Sequence, residues 1–155
     1  MSDNKIEYIN ELSVQDYNFL RTTAGWGAIK ENRAATGIEN SAFVVAARCG
    51  ESTIGMARVI SDGGYVAYIA DVVVHPDYQG QGIGLALMEQ VMSFNDSLLE
   101  EDHSMYSCLL SAKGKEEFYN KFGFVARPNE GRGAGMFQLR HYRGDSRDDS
   151  QEKII

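Results

Sequence analysis

The segment from Tyr68 to Val91 constrains the fold more than any other part of the chain. It begins with an apolar, β-branched run that is typical of a buried strand. Pro76 ends this run, because proline has no N–H group to donate to a neighbouring strand. Three glycines then occupy alternate positions from 80 to 84, and apolar residues follow at helical spacing. The pattern predicts a strand, a tight glycine turn and a helix.

A turn of this kind is suited to binding an anion. The start of a helix carries unpaired N–H groups and a partial positive charge. Side chains at positions 80, 82 and 84 would keep a phosphate away from the backbone, and glycine has none. We therefore predict an anion-binding turn, and a pyrophosphate is the ligand that fits it best.

Two common phosphate-binding motifs do not match the turn. A Walker-type loop needs a lysine followed by serine or threonine at the helix start, and Ile83-Gly84-Leu85 provides neither. A dinucleotide-binding fingerprint needs a third glycine at the position of Leu85. A turn that only packs a helix tightly against a sheet is the remaining structural alternative.

Two segments resemble the GNAT superfamily of acyl-CoA-dependent N-acetyltransferases. Gln79-Gly80-Gln81-Gly82-Ile83-Gly84 resembles the Gln/Arg-x-x-Gly-x-Gly/Ala signature of that family. Further along the chain, Phe118-Tyr119-Asn120-Lys121-Phe122-Gly123-Phe124 resembles its Phe-Tyr-x-x-x-Gly-Phe segment. The two signatures occur in the order that the family requires, and together they span roughly residues 68–125.

The strand pattern and the resemblance together predict an α+β fold with a mixed sheet. Residues 41–48, 53–60 and 68–74 read as three strands joined by short turns, which is an antiparallel meander. A strand over 104–110 follows a helix, so it can lie parallel to the strand at 68–74. The expected GNAT-like architecture is a mostly antiparallel central sheet with a parallel, splayed strand pair and flanking helices.

The other elements are predicted from local signals. A strand covers 6–9, and a helix starts after the capping residue Ser13. A second helical piece over 29–36 ends before Gly37, and a helix over 113–121 ends before Gly123. Residues 95–103 read as a polar connection, and 124–126 and 136–139 as the last strands. We expect one domain over 1–142 and a charged, flexible tail over 143–155.

Net charge, hydropathy and the cysteine and histidine counts limit the partners and the location that we expect. The 155 residues carry a net charge of −7, which argues against nucleic acid as the main partner. No apolar run is long enough for a membrane span, and the N-terminus does not look like a signal peptide. Two distant cysteines favour a reducing, cytoplasmic location, and three scattered histidines predict no metal site. A homodimer is among the expected assemblies.

The resemblance implies acetyl-CoA as the co-substrate and an N-acetyltransferase reaction. The acetyl group would pass to a primary amine of a small molecule, or to an exposed amino group of a peptide, by direct attack in a ternary complex. A non-catalytic acyl-CoA-binding regulatory module is the alternative, and a binding domain for another phosphorylated ligand is a third. The predicted cofactor-binding residues are Val73, Val74, Gln79, Gly80, Gln81, Gly82, Ile83, Gly84, Leu85 and Ser111. Many family members carry asparagine where this chain has Ser111.

Candidate catalytic residues follow from the chemistry of amine acylation. In the resembled family the tyrosine of the Phe-Tyr pair often protonates the leaving thiolate, so Tyr119 is the predicted general acid; a purely structural hydroxyl is the alternative. Asp71 lies in an apolar strand, where it is either a base in a polar cleft or a structurally paired carboxylate. Tyr68 and Glu31 remain possible bases acting through water.

Two orientations remain to be tested by the structure. Strict strand alternation would place Asp71 on the same face as Ile69 and Val73. Trp26 lies in a glycine-flanked break between the first two helices, a pair that lies over the acceptor site in the resembled family. The resemblance implies that Trp26 lines the amine pocket, and a buried anchor is the alternative.

Overall fold

A computed structural model describes residues 5–143 of the chain. The chain divides into two compact units between Phe124 and Val125. The first unit holds all the regular helices and strands of the described residues, in the order β1 (Ile6–Ile9), α1 (Val14–Thr23), α2 (Glu31–Glu39), β2 (Phe43–Cys49), β3 (Ser52–Ser61), β4 (Val66–Val74), α3 (Ile83–Ser97), β5 (Tyr106–Leu109) and α4 (Glu116–Asn120). A short 3₁₀ turn over Pro76–Tyr78 lies between β4 and the glycine turn.

The five strands form one sheet in the order β1-β2-β3-β4-β5. The first three pairings are antiparallel, and β4 pairs with β5 in parallel. The mixed sheet and its parallel pair confirm the predicted fold class. The helical crossover through α3 is what allows β5 to run in the same direction as β4.

Helices cover the sheet on both faces. One core cluster joins sheet residues to Ile83, Leu87, Met88 and Val91 of α3. A second cluster contains residues of α1 and α2 together with Met56 and Val73 of the sheet. Because successive strand residues point to opposite faces, these clusters place α3 on one face and the α1–α2 pair on the other.

A bulge in β4 changes the face to which its side chains point. Arg58 is opposite Ala70 and Met56 is opposite Val73, so Asp71 and Val72 together are opposite one residue of β3. Ile69 belongs to the α3 cluster, whereas Asp71 contacts Tyr17 of α1. The expectation that Asp71 shares a face with Ile69 is therefore wrong, because strict alternation fails at the bulge. The expectation that Asp71 shares a face with Val73 is confirmed, since Val73 packs in the α1–α2 cluster.

The two parallel strands separate partway along β4. Their pairing runs from Val66 opposite Tyr106 to Ile69 opposite Leu109, where β5 ends. β4 continues for five more residues, 70–74, which pair only with β3 among the described strands. This opening is the splay that the sequence predicts, and it leads directly to the glycine turn.

Two helices end later than the sequence predicts, and α4 starts at Glu116 and not at the predicted residue 113. α2 continues through Gly37 to Glu39, since the Gly37 carbonyl accepts hydrogen bonds from Ser41 and from Arg58. α3 continues to Ser97, because Asn95 is buried on it and donates a hydrogen bond to Ser107 of β5. Neither tertiary contact could be read from local sequence. The capping role of Ser13 is confirmed, since its hydroxyl accepts from the Asp16 N–H.

The predicted strands over 124–126 and 136–139 are wrong. Residues 125–143, the described part of the second unit, contain only an isolated bridge between Asn129 and Arg132. Their side chains are exposed, and a β pattern without a pairing partner does not form a ladder. Residues 144–155, most of the predicted tail, lie outside the described residues.

Within residues 5–143, none of the helices combines the length and the apolar character needed to span a bilayer.

Gly55 fixes how closely α3 approaches β3, and this contact gives a stability prediction. A Cβ at position 55 would lie 3.1 Å from Leu87 Cδ1 and 3.3 Å from Ile83 Cγ2. We expect Gly55→Val to lower the free energy of unfolding by about 1–3 kcal/mol through overpacking, as measured by urea denaturation. Gly135→Val is the control, because a Cβ there meets nothing within 4 Å. Equal unfolding midpoints for the two variants would contradict the prediction.

Candidate active site

The glycine turn requires glycine for backbone reasons at two positions. Gly80 has φ of 77° and Gly82 has φ of 80°, both in the left-handed region that residues with a Cβ rarely adopt. A Cβ at either position would meet nothing within 4 Å, so the space above the turn is open. The turn is therefore accessible to a ligand, as the sequence predicts.

The turn leads into a helix whose first N–H groups are unpaired. The first helical hydrogen bond runs from the Ala86 N–H to the Gly82 carbonyl, so Ile83, Gly84 and Leu85 precede it. Gly82 is the N-cap and provides no side-chain hydrogen bond, and the first turn holds no acidic residue. These N–H groups, together with the positive end of a 15-residue helix, suit a bound anion.

Gly84 has a different role from the other two glycines. A Cβ at this position would lie 3.5 Å from Phe118 Cζ and 3.7 Å from Val74 Cγ2, which are ordinary contact distances. Position 84 thus packs α3 against α4 and β4 instead of facing the open space. This geometry explains why a signature of this kind can accept alanine at its last position.

The end of β4 is tied to the glycine turn. The Gln79 side-chain amide donates to the Val74 carbonyl at 3.1 Å. His75 adds a second tie, since its N–H donates to the Ile54 carbonyl and its Nδ1 accepts from the Asp77 N–H. The predicted residues Val73 and Val74 therefore lie on the part of β4 that has no β5 partner, directly before the turn.

The second signature folds next to the first. Phe118 of α4 lies against Gly84, and the Tyr119 ring lies 5.0 Å from the Phe118 ring and 6.4 Å from the Phe124 ring. The Tyr119 hydroxyl has no hydrogen-bond partner within residues 5–143, and burial raises the pKa of this phenol. Tyr119 is therefore a protonated O–H donor, and it packs against the core cluster that contains α3. Gly123 has φ of 86°, which confirms the predicted left-handed residue after α4.

Ser111 follows β5, where the two parallel strands have already separated. Its hydroxyl donates to the Ala112 carbonyl at 2.8 Å and keeps its oxygen as an acceptor. Ser111 can thus accept a hydrogen bond at the opening, but its O–H is already engaged.

Asp71 lies at the centre of a partly buried charge cluster on the α1 side. Its Oδ2 accepts from the Tyr17 hydroxyl at 2.9 Å and from Arg58 Nε at 2.5 Å. Its Oδ1 accepts from Arg21 Nη1 at 3.2 Å. The Asp71 side chain is only 11% exposed. Of the two alternatives from the sequence, the structure shows the paired carboxylate.

The tyrosines near Asp71 are held in the protonated form. Burial raises the pKa of Tyr17, and the Asp71 charge raises it further. Burial also raises the pKa of Tyr68, with smaller contributions from Cys108 and Asp71. A phenol with a raised pKa is a poor base near neutral pH, which argues against Tyr68 in that role. Glu31 is exposed in the first turn of α2.

Trp26 is not a buried anchor. Its side chain is 44% exposed in the connection between α1 and α2, and the Arg21 guanidinium lies 5.6 Å from its ring. The buried alternative is therefore wrong. The exposed ring leaves the role in acceptor binding as a prediction.

Three members of the Asp71 cluster were not predicted as site residues from the sequence: Tyr17, Arg21 and Arg58. A signal for one of them was present, since Arg58 lies among apolar residues in one predicted strand and Asp71 among apolar residues in the next. Opposite charges in adjacent apolar strands indicate a pair, because each would be costly to bury alone. The α1 residues gave no comparable signal. Within residues 5–143, no group of His, Cys, Asp or Glu side chains is arranged to hold a metal ion.

Known proteins are similar to this chain in sequence and in fold. Residues 39–126 match the family described as acetyltransferase (GNAT) domain. An uncharacterised N-acetyltransferase, ycf52, from Gracilaria tenuistipitata var. liui is 32% identical over 86% of this chain and 74% of that protein. The histone acetyltransferase TAP1 of Glycine max is 32% identical over 81% of this chain, which spans only 60% of that protein.

A solved structure that is similar to this chain is also described as an acetyltransferase. A protein of unknown function from meticillin-resistant Staphylococcus aureus, described as a probable acetyltransferase, superimposes with a TM-score of 0.79 at 33% identity. The match covers 88% of this chain and all of that one (100%). With the open glycine turn, the adjoining α4 segment and the split parallel strands, these matches show that the chain belongs to the GNAT superfamily and is an acyl-CoA-dependent acetyltransferase.

Proposed function

We propose that this enzyme transfers an acetyl group from acetyl-CoA to a primary amine, either of a small molecule or as an exposed amino group of a peptide, in a ternary complex. The observation that carries the proposal is the open glycine turn, whose free N–H groups lie directly after the unpaired end of β4. A diphosphate and a chain of amides need these two features side by side.

The residues present fit such a donor. The main-chain N–H groups of Gln81 to Leu85 would bind the diphosphate, and the free edge of β4 at Val73 and Val74 would pair with the pantetheine amides. Ser111 would accept a hydrogen bond across the opening. When bound, acetyl-CoA supplies an acyl group activated as a thioester.

The chain also provides for the proton movements of the reaction. The Tyr119 hydroxyl would donate a proton to the leaving sulfur, since it is protonated and otherwise unpartnered within residues 5–143. The attacking amine must lose a proton, and because Asp71 is engaged in ion pairs, we propose Glu31, acting through water, for this step. Trp26 offers an exposed aromatic face to the acceptor.

The acceptor class and the location are also proposals. One relative is named a histone acetyltransferase, which supports testing lysine-containing peptides beside small primary amines. The two cysteines in 155 residues support a reducing, cytoplasmic location. Calorimetric titration with coenzyme A, followed by thiol release from acetyl-CoA across an amine panel, tests the function. Binding without turnover of any amine would favour the regulatory-module alternative.

Substitution of Gly82 tests the binding turn. We expect Gly82→Val to weaken coenzyme A binding by roughly tenfold or more, because it adds bulk and strain where the phosphates would lie. Gly63→Val is the matched control, since Gly63 also has φ of 80° and open space around it but lies in the β3–β4 turn. It should lose stability like Gly82→Val and keep its affinity. Gly84→Ala should bind normally. Wild-type affinity in Gly82→Val would exclude this turn as the site.

Substitution of Tyr119 tests the general acid. We expect Tyr119→Phe to lower kcat by roughly 10²–10⁴-fold while KM for acetyl-CoA changes little, because the hydroxyl acts in the transition state. A general acid works below its pKa, and burial raises the pKa of Tyr119 above its ordinary 10.0. Ionisation of Tyr119 should therefore not reduce the wild-type rate up to about pH 9. Tyr65→Phe, at an exposed tyrosine, is the control. Unchanged turnover in Tyr119→Phe would remove it from the mechanism.

A further inference from the structure

We infer that Asp71 is a positioning residue: its carboxylate, held by Tyr17, Arg21 and Arg58, fixes the bulged end of β4 against which the acyl donor would lie. The inference rests on the proposed function for the identity of that donor. The geometry of the cluster comes from the chain alone.

The backbone at Asp71 needs to be held in place. Asp71 has φ of 54°, one of two non-glycine residues with positive φ within residues 5–143. A conformation of this kind persists only where the surroundings impose it. Here the register shift of the bulge and three hydrogen bonds to the side chain impose it together.

The carboxylate is engaged on both oxygens by groups from two elements. Tyr17 and Arg21 belong to α1, and Arg58 belongs to β3. The two guanidinium side chains are 17% and 14% exposed, so little water competes for the carboxylate. Donors from the chain therefore already occupy both oxygens of the Asp71 carboxylate.

The same cluster reaches the second helix. Arg58 Nη1 donates to the Gly37 carbonyl of α2 and to Ser41 Oγ, each at 3.2 Å. Arg58 therefore connects α2 with Asp71 of β4, and Asp71 connects in turn with α1. These ion pairs and hydrogen bonds connect α1 and α2 to β4, the strand on which the donor would lie.

The cluster lies at the point along β4 where pairing with β5 has just ended. Pairing with β5 ends at Ile69, immediately before the bulge. From residue 70 onward, β4 is held by β3 on one edge and has no strand on the other among the described residues. The cluster holds the Asp71 side chain at the point where β4 bends, so its loss should move the β4 edge that the donor uses.

Asp71→Asn tests the inference without forcing a new backbone, since asparagine tolerates the left-handed region. Well below the unfolding temperature, we expect kcat/KM for acetyl-CoA to fall about tenfold or more, with the midpoint of the acidic limb of the pH–rate profile unchanged. Arg58→Lys should have a similar effect, and the double variant should be little worse than either single one. Glu51→Gln, at an exposed position in the β2–β3 turn, is the control for loss of a carboxylate.

The pH profile separates positioning from base catalysis. The charged and titratable groups that face Asp71 within residues 5–143 are Tyr17, Arg21, Arg58 and Tyr68. Disappearance of the acidic limb in Asp71→Asn would overturn the inference and assign the base to Asp71. Wild-type kcat/KM in Asp71→Asn would overturn it as well.

Failure of the proposed function would have a different signature. A wild-type protein that neither binds coenzyme A nor acylates any amine would refute the donor assignment. Hydrogen exchange then tests the cluster: amides of residues 71–74 should lose protection in Asp71→Asn but not in Glu51→Gln. Equal protection in both variants would overturn the positioning role.

Discussion

The rest of the structure depends on the interruption of β4. Backbone N–H and C=O groups inside a sheet are normally satisfied on both sides, and β4 loses one partner strand after Ile69. A bulge bends the strand at the same place and turns Asp71 toward α1. The opening this creates continues into a turn whose positive φ angles at Gly80 and Gly82 favour glycine. Strand edge and helix start thus present unsatisfied polar groups along one path.

The two sides of the opening between β4 and the glycine turn are stabilised by different kinds of contact. On the α3 side the contacts are apolar: Gly55 admits Ile83 and Leu87, and Phe118 covers Gly84. On the α1 side the contacts are charged and centre on Asp71. Apolar packing sets where the helix start lies, and the ion cluster sets the course of the strand. A ligand bound between them would meet a preformed site, which lowers the cost of binding.

The local parts of this arrangement could be predicted from sequence. Short-range sequence patterns predict the glycine turn, α3 and the capping of α1, and all three are present in the structure. The orientation of Asp71 could not be predicted, because a bulge depends on how two strands match in register. Continuation of α2 past Gly37 and of α3 to Asn95 depends on partners far along the chain, Arg58 and Ser107. The expected strands after residue 123 fail for a related reason, since strand propensity without a pairing edge does not decide structure.

In the proposed function, main-chain N–H groups at the start of α3 bind the diphosphate of an acyl carrier. Backbone amide NMR during titration with coenzyme A and, separately, with pantetheine tests it most directly, since pantetheine lacks the diphosphate. We expect coenzyme A to shift the amide signals of residues 81–85 and pantetheine to leave them in place. Equal shifts with both ligands, or none with coenzyme A at saturating concentration, would contradict it.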